Sequence, residues 1–292
     1  MAKKTVHAGW AAALILVAGF WGLPALAAPV PQPENSGQQT LRVCEDPDNP
    51  PFSMRDGSGF ENKIAELLAK SLGWKLEYTW FPQRFGFIRH TLRAKDEQGH
   101  YKCDLVMGVP PGFDQAATTQ PYYRSIYTLV YVKGGKLDGV SSPGDLLELP
   151  PATRDKLRLG TFDQTPPVDW LLKNGMIDRM VPYQKMSSDP KNYPGRLLQE
   201  DLGKGKLDGA FIWGPIAGYF AKKITAEKLV VVPFKPEPDI KFNFSIAMGV
   251  RFGEKAWQKE VGELIKKNQS GINEILTEYG VPLVDAHGNL IN

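Results

Sequence analysis

The sequence predicts an α/β protein of two lobes around a cleft, joined by two crossing strands. Three observations carry that prediction. Short apolar runs alternate with amphipathic stretches along most of the chain, the pattern of sheets covered by helices. Two long extended segments, "YTLVYVKGG" and "VVVPFKPEPD", read as crossings out of one lobe and back. Setting aside residues 1–27 leaves 265 of the 292 residues, enough for two lobes with a core each.

Residues 1–27 have the composition of a secretory signal peptide. Lys3 and Lys4 precede a short apolar core, "AAALILVAGF", and "ALA" at 25–27 is a small-residue cleavage site. The apolar run is too short and too weakly flanked for a transmembrane anchor. Without Lys3 and Lys4 the formal charge of +3 falls to +1. A near-neutral chain argues against nucleic-acid binding and against membrane contact through a basic patch. Residues 28–40, "APVPQPENSGQQT", are rich in Pro, Gln and Ser with little to bury, and read as a flexible lead-in.

The elements then follow in order. "LRVCED" is a strand. "GFENKIAELLAKSLG" places Phe60, Ile64, Leu67, Leu68 and Leu72 on one helical face and stops at Gly73. "KLEYTWF" alternates as a strand, a helix is expected over about 85–93, and "CDLVMGV" suits a buried parallel strand. "IYTLVYV" leads out of the first lobe. In the second lobe strands are expected at 157–162, near 180–183 and at 207–213. Helices are expected at about 167–173, within 192–203 and at 215–224, and "KLVVVPF" leads back. "FNFSIAMGV" and two helices, 254–268 and about 271–279, complete the chain. The expected lobes are therefore 41–132 with 235–292, and 133–234.

Ligands of open α/β sheets sit beyond the carboxyl ends of strands. That rule gathers 46–52, 80–83, 108–112, 162–167 and 213–215 around one cleft. The aromatic candidates there are Phe52, Trp80, Phe81, Tyr122, Tyr123, Trp170 and Trp213, and Arg124 is the nearest cation. Arg124 sits where a strand begins, a position equally suited to surface pairing.

Two cysteines, Cys44 and Cys103, remain for an exported chain, which favours a disulfide. Strand register opposes it. Cys44 ends the first strand and Cys103 starts the third, which would separate parallel neighbours by roughly 10 Å. Bridged Cα atoms are usually within about 7 Å. Both outcomes stand open at this level. "EDPDNP" gathers Glu45, Asp46, Asp48 and Asn49, but lacks the spacing and distal Glu of a calcium loop and reads as a turn. Beyond residue 27 only His90, His100 and His287 occur, with no nucleophile elbow and no phosphate-binding glycine loop. Neither catalysis, nor a metal, nor a cofactor is expected.

At this point the chain resembles the type II periplasmic solute-binding proteins, over residues 41–282. The resemblance rests on "LRVCEDPDNPPFSMRDGSGFENKIAELLAKSLGWKLEYTW" and "CDLVMG…PYYRS". It narrows to the MxaJ/XoxJ family on "YTWFPQRFGFIR", "KCDLVMGVPPGF", "TTQPYYRS", "TPPVDWL", "WGPIAGYFA" and "IAMGVR", with the XoxJ branch preferred. The resemblance implies a periplasmic accessory protein whose partner is a PQQ-containing methanol dehydrogenase. The XoxJ branch implies that the dehydrogenase is lanthanide-dependent.

The residues fit such a departure from solute binding. No Lys or Arg occurs between Asp104 and Tyr123, where a bidentate Arg would hold a carboxylate, and the loop there offers Pro110 instead. Pro166 and Pro167 remove two N–H donors at one expected helix start, and Pro215 removes a third at another. A cleft built this way suits a protein segment held by aromatic side chains. The alternative is the receptor of an importer for an uncharged or large ligand. A dehydratase of the same fold would itself need the missing carboxylate clamp.

Overall fold

A computed structural model describes residues 39–184, 193–226 and 228–292. The expected signal peptide and nearly all of the expected lead-in fall outside these residues. The chain runs through β1 (Thr40–Glu45), a hairpin of β2 (Asp48–Asn49) and β3 (Ser53–Met54), α1 (Phe60–Leu72), β4 (Lys75–Trp80), α2 (Phe87–His90), β5 (Leu105–Val109), β6 (Ala117–Thr118) and the long β7 (Tyr123–Val132). After a 3-10 turn at Pro143–Glu148 come α3 (Pro151–Arg154), β8 (Leu159–Phe162), α4 (Pro166–Lys173) and β9 (Met180–Tyr183). A wide helical turn at Leu197–Leu202 precedes β10 (Gly209–Trp213), α5 (Gly214–Lys223) and β11 (Leu229–Pro233). β12 (Asn243–Val250), α6 (Lys255–Lys267) and α7 (Gln269–Glu278) finish the fold.

Local chemistry explains the boundaries. α1 buries Phe60, Ile64, Ala65, Leu68 and Ala69, a helical stripe, and ends where Gly73 turns left-handed at φ 71°. The helix expected over 85–93 shrinks to the single turn α2. Gly86 enters it at φ 85°, and Thr91 leaves helical geometry while its hydroxyl donates to the Phe87 carbonyl at 2.7 Å.

The strands form one path, β4-β1-β5-β12-β7-β10-β8-β9, with β11 also on β7 and β6 on β12. β1 runs parallel to β4 and β5, and β8 runs parallel to β9 and β10. The two parallel groups are joined through β7 and β12. Their antiparallel ribbon pairs Asn243 with Ile126 and Ile246 with Tyr123. Beyond the ribbon β7 enters the second sheet, pairing Tyr127–Val130 with β10. β12 in turn continues into the outer sheet, beside β5 and β6.

Each sheet carries its own core. In the outer lobe Leu41, Val43, Ile64, Leu68, Leu105 and Val250 pack with α6 and α7 on one face. Cys44, Val106 and Val109 pack with Phe87, Ile88 and Leu92 on the other. The inner lobe packs Leu129, Leu159, Trp170 and Phe211 in one cluster, and Val130, Ile212, Ala217 and Phe220 in another. The lobes also touch outside the crossing strands. Gly218 of α5 lies so close to Gly280 that a Cβ would strike its carbonyl. Tyr219 stacks on Tyr279 at 5.9 Å, and Lys222 donates to the Thr277 and Glu278 carbonyls that end α7. The final segment runs back beside β7, with Val284 N–H donating to the Arg124 carbonyl.

Cys44 and Cys103 are bridged, their Cα atoms 5.5 Å apart. The separation inferred from strand register does not hold, because Cys103 is not a straight extension of β5. Lys102 N–H bonds to the Ala94 carbonyl, so the chain comes to β5 across the face that holds α2 and Leu92. Cys103 therefore lies over the sheet, on the face to which Cys44 points.

Beside the bridge sits a buried charge knot. Asp104 is 1% exposed and receives Arg251 on Oδ1 at 2.6 Å and Arg42 on Oδ2 at 2.6 Å. Arg251 also donates to the Leu92 and Cys103 carbonyls and pairs with Glu254, while its guanidinium lies over the Tyr101 ring. Trp257 Nε1 donates to the Asp104 carbonyl at 3.1 Å. Removing the carboxylate takes from Arg42 and Arg251 the buried acid that they share. Asp104→Ala is expected to lower unfolding stability by about 3–5 kcal/mol in urea titrations, and a loss under about 1 kcal/mol would contradict this reading of the knot.

Candidate functional site

A cleft of about 730 Å³ opens between the lobes. The crossing strands contribute Tyr127 from β7 and Phe244, Ser245 and Ile246 from β12. Gly108 and Pro110 line it from the end of β5. The inner lobe contributes Phe162, Gln164, Thr165, Pro166 and Asp169 around the β8–α4 turn, together with Pro194, Ile212, Trp213 and Ile216. Three rings form a cluster there: Tyr127 and Trp213 are 5.2 Å apart, Trp213 and Phe244 6.0 Å, Tyr127 and Phe244 6.2 Å. Burial pushes the Tyr127 hydroxyl up to about 12, so it stays neutral and can donate a hydrogen bond.

The electrostatics of the cleft disfavour a small anion. Among the described residues lining it there is no Lys, Arg or His, and the one carboxylate is Asp169. Pro166 and Pro167 occupy the first turn of α4 and Pro215 that of α5, so three backbone donors are absent where helix starts would cradle a carboxylate. Thr165 does not cap α4; its hydroxyl donates to the Phe162 carbonyl at 2.6 Å. That bond closes a turn in which Gln164 adopts φ 58°. The lining instead offers flat, neutral contact area.

The sequence candidates divide. Pro110, Pro166 and Trp213 line the cleft. Pro215 is buried at the start of α5, behind Trp213. Phe52 packs against both an outer-lobe and an inner-lobe core, edge-on to Phe60 at 5.3 Å. Trp80 stacks on Tyr78 at 4.7 Å with Arg55 over its face, and Phe81 stacks on His90 at 4.8 Å. Arg124 bonds to Asn243 Oδ1 and the Ala286 carbonyl, securing the final segment. Trp170 is buried in an inner-lobe core, and Tyr122 and Tyr123, 1% and 6% exposed, belong to the outer core, so none of the three lines the cleft. For Tyr122 the inward turn has a physical cause, the buried carboxyl of Glu61, which accepts from its hydroxyl at 3.2 Å. The candidates omitted Tyr127 and Phe244. Their signal was an aromatic within "IYTLVYV" and within "FNFSIAMGV", the two strands that pair between the lobes.

Behind the cleft lies a carboxyl pair that sequence reasoning did not find. Glu45 and Glu61 are 3% and 2% exposed. Glu61 stands directly behind Gly108, where a Cβ would come within 2.6 Å of its Oε1, and Gly108 itself has φ 70°. Desolvation, followed by the charge of Glu61, holds the Glu45 carboxyl well above the usual range. Desolvation pushes Glu61 up to about 7 against the hydrogen bond from Tyr122. Carboxyls raised on folding stabilise the fold fully at pH values below their unfolded pKa, about 4.3, and that contribution fades as pH rises through the folded pKa. Melting temperature is therefore expected to fall between about pH 5 and 8, and Glu61→Gln to flatten the fall. An equal slope in the variant would exclude Glu61 as its source.

Among the described residues no helix is long and apolar enough to cross a membrane, and no three His, Cys, Asp or Glu side chains group as a metal site. No protein-family model matches the chain. The chain is similar to the periplasmic binding protein XoxJ from Methylobacterium extorquens AM1, with 34% identity and a TM-score of 0.64, covering 84% of this chain and 99% of the other. MoxJ from Methylorubrum extorquens is 28% identical over 94% of this chain and 95% of its own. MxaJ from Methylophaga aminisulfidivorans MPT shares the fold at a TM-score of 0.67 and 24% identity, over 84% of this chain and all of the other.

Proposed function

Because the chain belongs to the MxaJ/XoxJ family of periplasmic binding proteins, at 34% identity across 99% of XoxJ, we propose that it is a periplasmic accessory protein of methanol oxidation. On this reading it binds a PQQ-containing methanol dehydrogenase, of the lanthanide-dependent type, and activates it or assists its maturation. The observation that carries the reading is the cleft. It has the location of a solute site but lacks cations and helix-start donors, and presents Trp213, Tyr127 and Phe244 as contact surface. Trp and Tyr supply large contact area with few rotors to freeze, which is why they dominate protein–protein hot spots. The family is one of binding proteins, and the chain performs no reaction of its own on this reading.

The test is to mix the purified protein with metal-free and metal-loaded methanol dehydrogenase and measure complex formation and dye-linked activity. Trp213→Ala is expected to weaken the complex by at least ~2 kcal/mol. Binding at wild-type strength in that variant would remove the cleft from the interface, and no binding to either form would remove the partner. The second reading, an importer's receptor for an uncharged or large solute, is favoured by the cleft volume, which lies within the range of small-molecule sites. A solute at a hundred times its Kd would add about 2.7 kcal/mol of stability, visible as a higher Tm. A broad solute screen without such a rise would set that reading aside.

A further inference from the structure

The loop between β4 and α2 carries a second contact element. Phe85 is 88% exposed, yet Phe87 and Ile88 just beyond it are 7% and 3% exposed and fix the chain to the core. The turn has a defined shape. Gly86 at φ 85° allows the reversal, and Phe87 N–H donates to the Arg84 carbonyl at 3.0 Å. Asp46 accepts the Gln83 N–H at 2.6 Å, and Asn49 Nδ2 donates to Gln83 Oε1 at 3.0 Å, so the loop is tied to the turn after β1. A phenyl ring is thus held in water by a braced loop.

Charge adds a second, independent feature. Residues 81–94 contain Arg84, Arg89 and Arg93 and no acid. The carboxylate tied to the loop, Asp46, is occupied by the backbone N–H groups of Gln83 and Asp48. Arg89 and Arg93 are exposed on and just after α2. The loop follows the carboxyl end of β4, which runs parallel to β1 as β5 does, so it leaves the outer sheet at the same end as the cleft-lining turn after β5. The described residues that line the cleft include no cation, and residues 81–94 carry three arginines.

We propose that this arginine-flanked Phe85 loop is a docking element that enters an apolar notch on an acidic surface of the partner protein. The inference rests on the reading that the cleft binds the dehydrogenase, and adds where and how the partner's surface is recognised. A braced aromatic costs little ordering on binding, and arginines around it favour a partner of opposite sign. One ring on a short loop is a small anchor for a lipid surface and a sufficient one for a protein notch.

Binding of the purified protein to methanol dehydrogenase is to be measured at low and high salt for wild type, Phe85→Ser, Arg89→Glu and Trp213→Ala. Phe85 makes little contact with the fold, so Phe85→Ser is expected to melt as wild type does and to bind at least ~10-fold more weakly. Arg89→Glu is expected to slow association several-fold at low salt, the difference closing near about 0.5 M salt. If both loop variants bind as wild type while Trp213→Ala does not, the loop inference is overturned and the cleft reading stands. A loss in Phe85→Ser with no charge effect in Arg89→Glu would overturn the acidic partner surface. Phe85-dependent binding to anionic phospholipid vesicles, without any effect of Phe85→Ser on the dehydrogenase, would replace the protein partner with a membrane. Absence of wild-type binding would end both readings together.

Discussion

Asp104 is the point on which the outer lobe is assembled. It lies where the chain crosses the sheet face and turns into β5, and it gathers Arg42 of β1 and Arg251, which follows β12. Through Trp257, which donates to its carbonyl, it also anchors α6. Three stretches far apart in sequence, at residues 42, 104 and 251–257, thus meet at one residue, with the Cys44–Cys103 bridge beside it. Burying such charges is favourable only when each finds its partners, and here every guanidinium edge faces an acid or a carbonyl. The position of β5, and so of Gly108 and Pro110 at its end, follows from that knot.

Much of this architecture is legible in the sequence, and for a local reason. The apolar stripe of α1, the run "LVMGV" of β5 and the prolines opening α4 and α5 are short-range patterns, so the strand–helix alternation and the missing anion donors can be read directly. Long-range contacts are not legible in this way. Tyr122 and Tyr123 stand at a strand start that looks like a rim, but the carboxyl that draws Tyr122 inward is 61 residues away. Tyr127 and Phe244 reach the cleft because β7 and β12 pair antiparallel, a register that no local pattern announces. The cysteine geometry failed for the same reason. It assumed that the strand continues in line, where the chain arrives from above the sheet.

The cleft lacks most of what recognises a carboxylate. Among its described lining residues there is no arginine, and proline stands in place of three helix-start N–H donors. The crossing strands, needed in any case to join the lobes, then supply aromatic faces at no structural cost. Glu45 and Glu61, withdrawn behind Gly108, keep their charge away from that surface because burial favours their protonated forms.

The contact of α5 with the end of α7 has a mechanical meaning. Receptors that shut around a solute need a pivot with nothing bridging it elsewhere. Here Gly218 against Gly280, Tyr219 against Tyr279 and the Lys222 cap form a brace outside the pivot. Any rotation of the lobes whose axis misses this brace must pull it apart, and small residues leave no slack between the two backbones. On the proposed reading, a cleft braced in this way suits a partner too large to be enclosed.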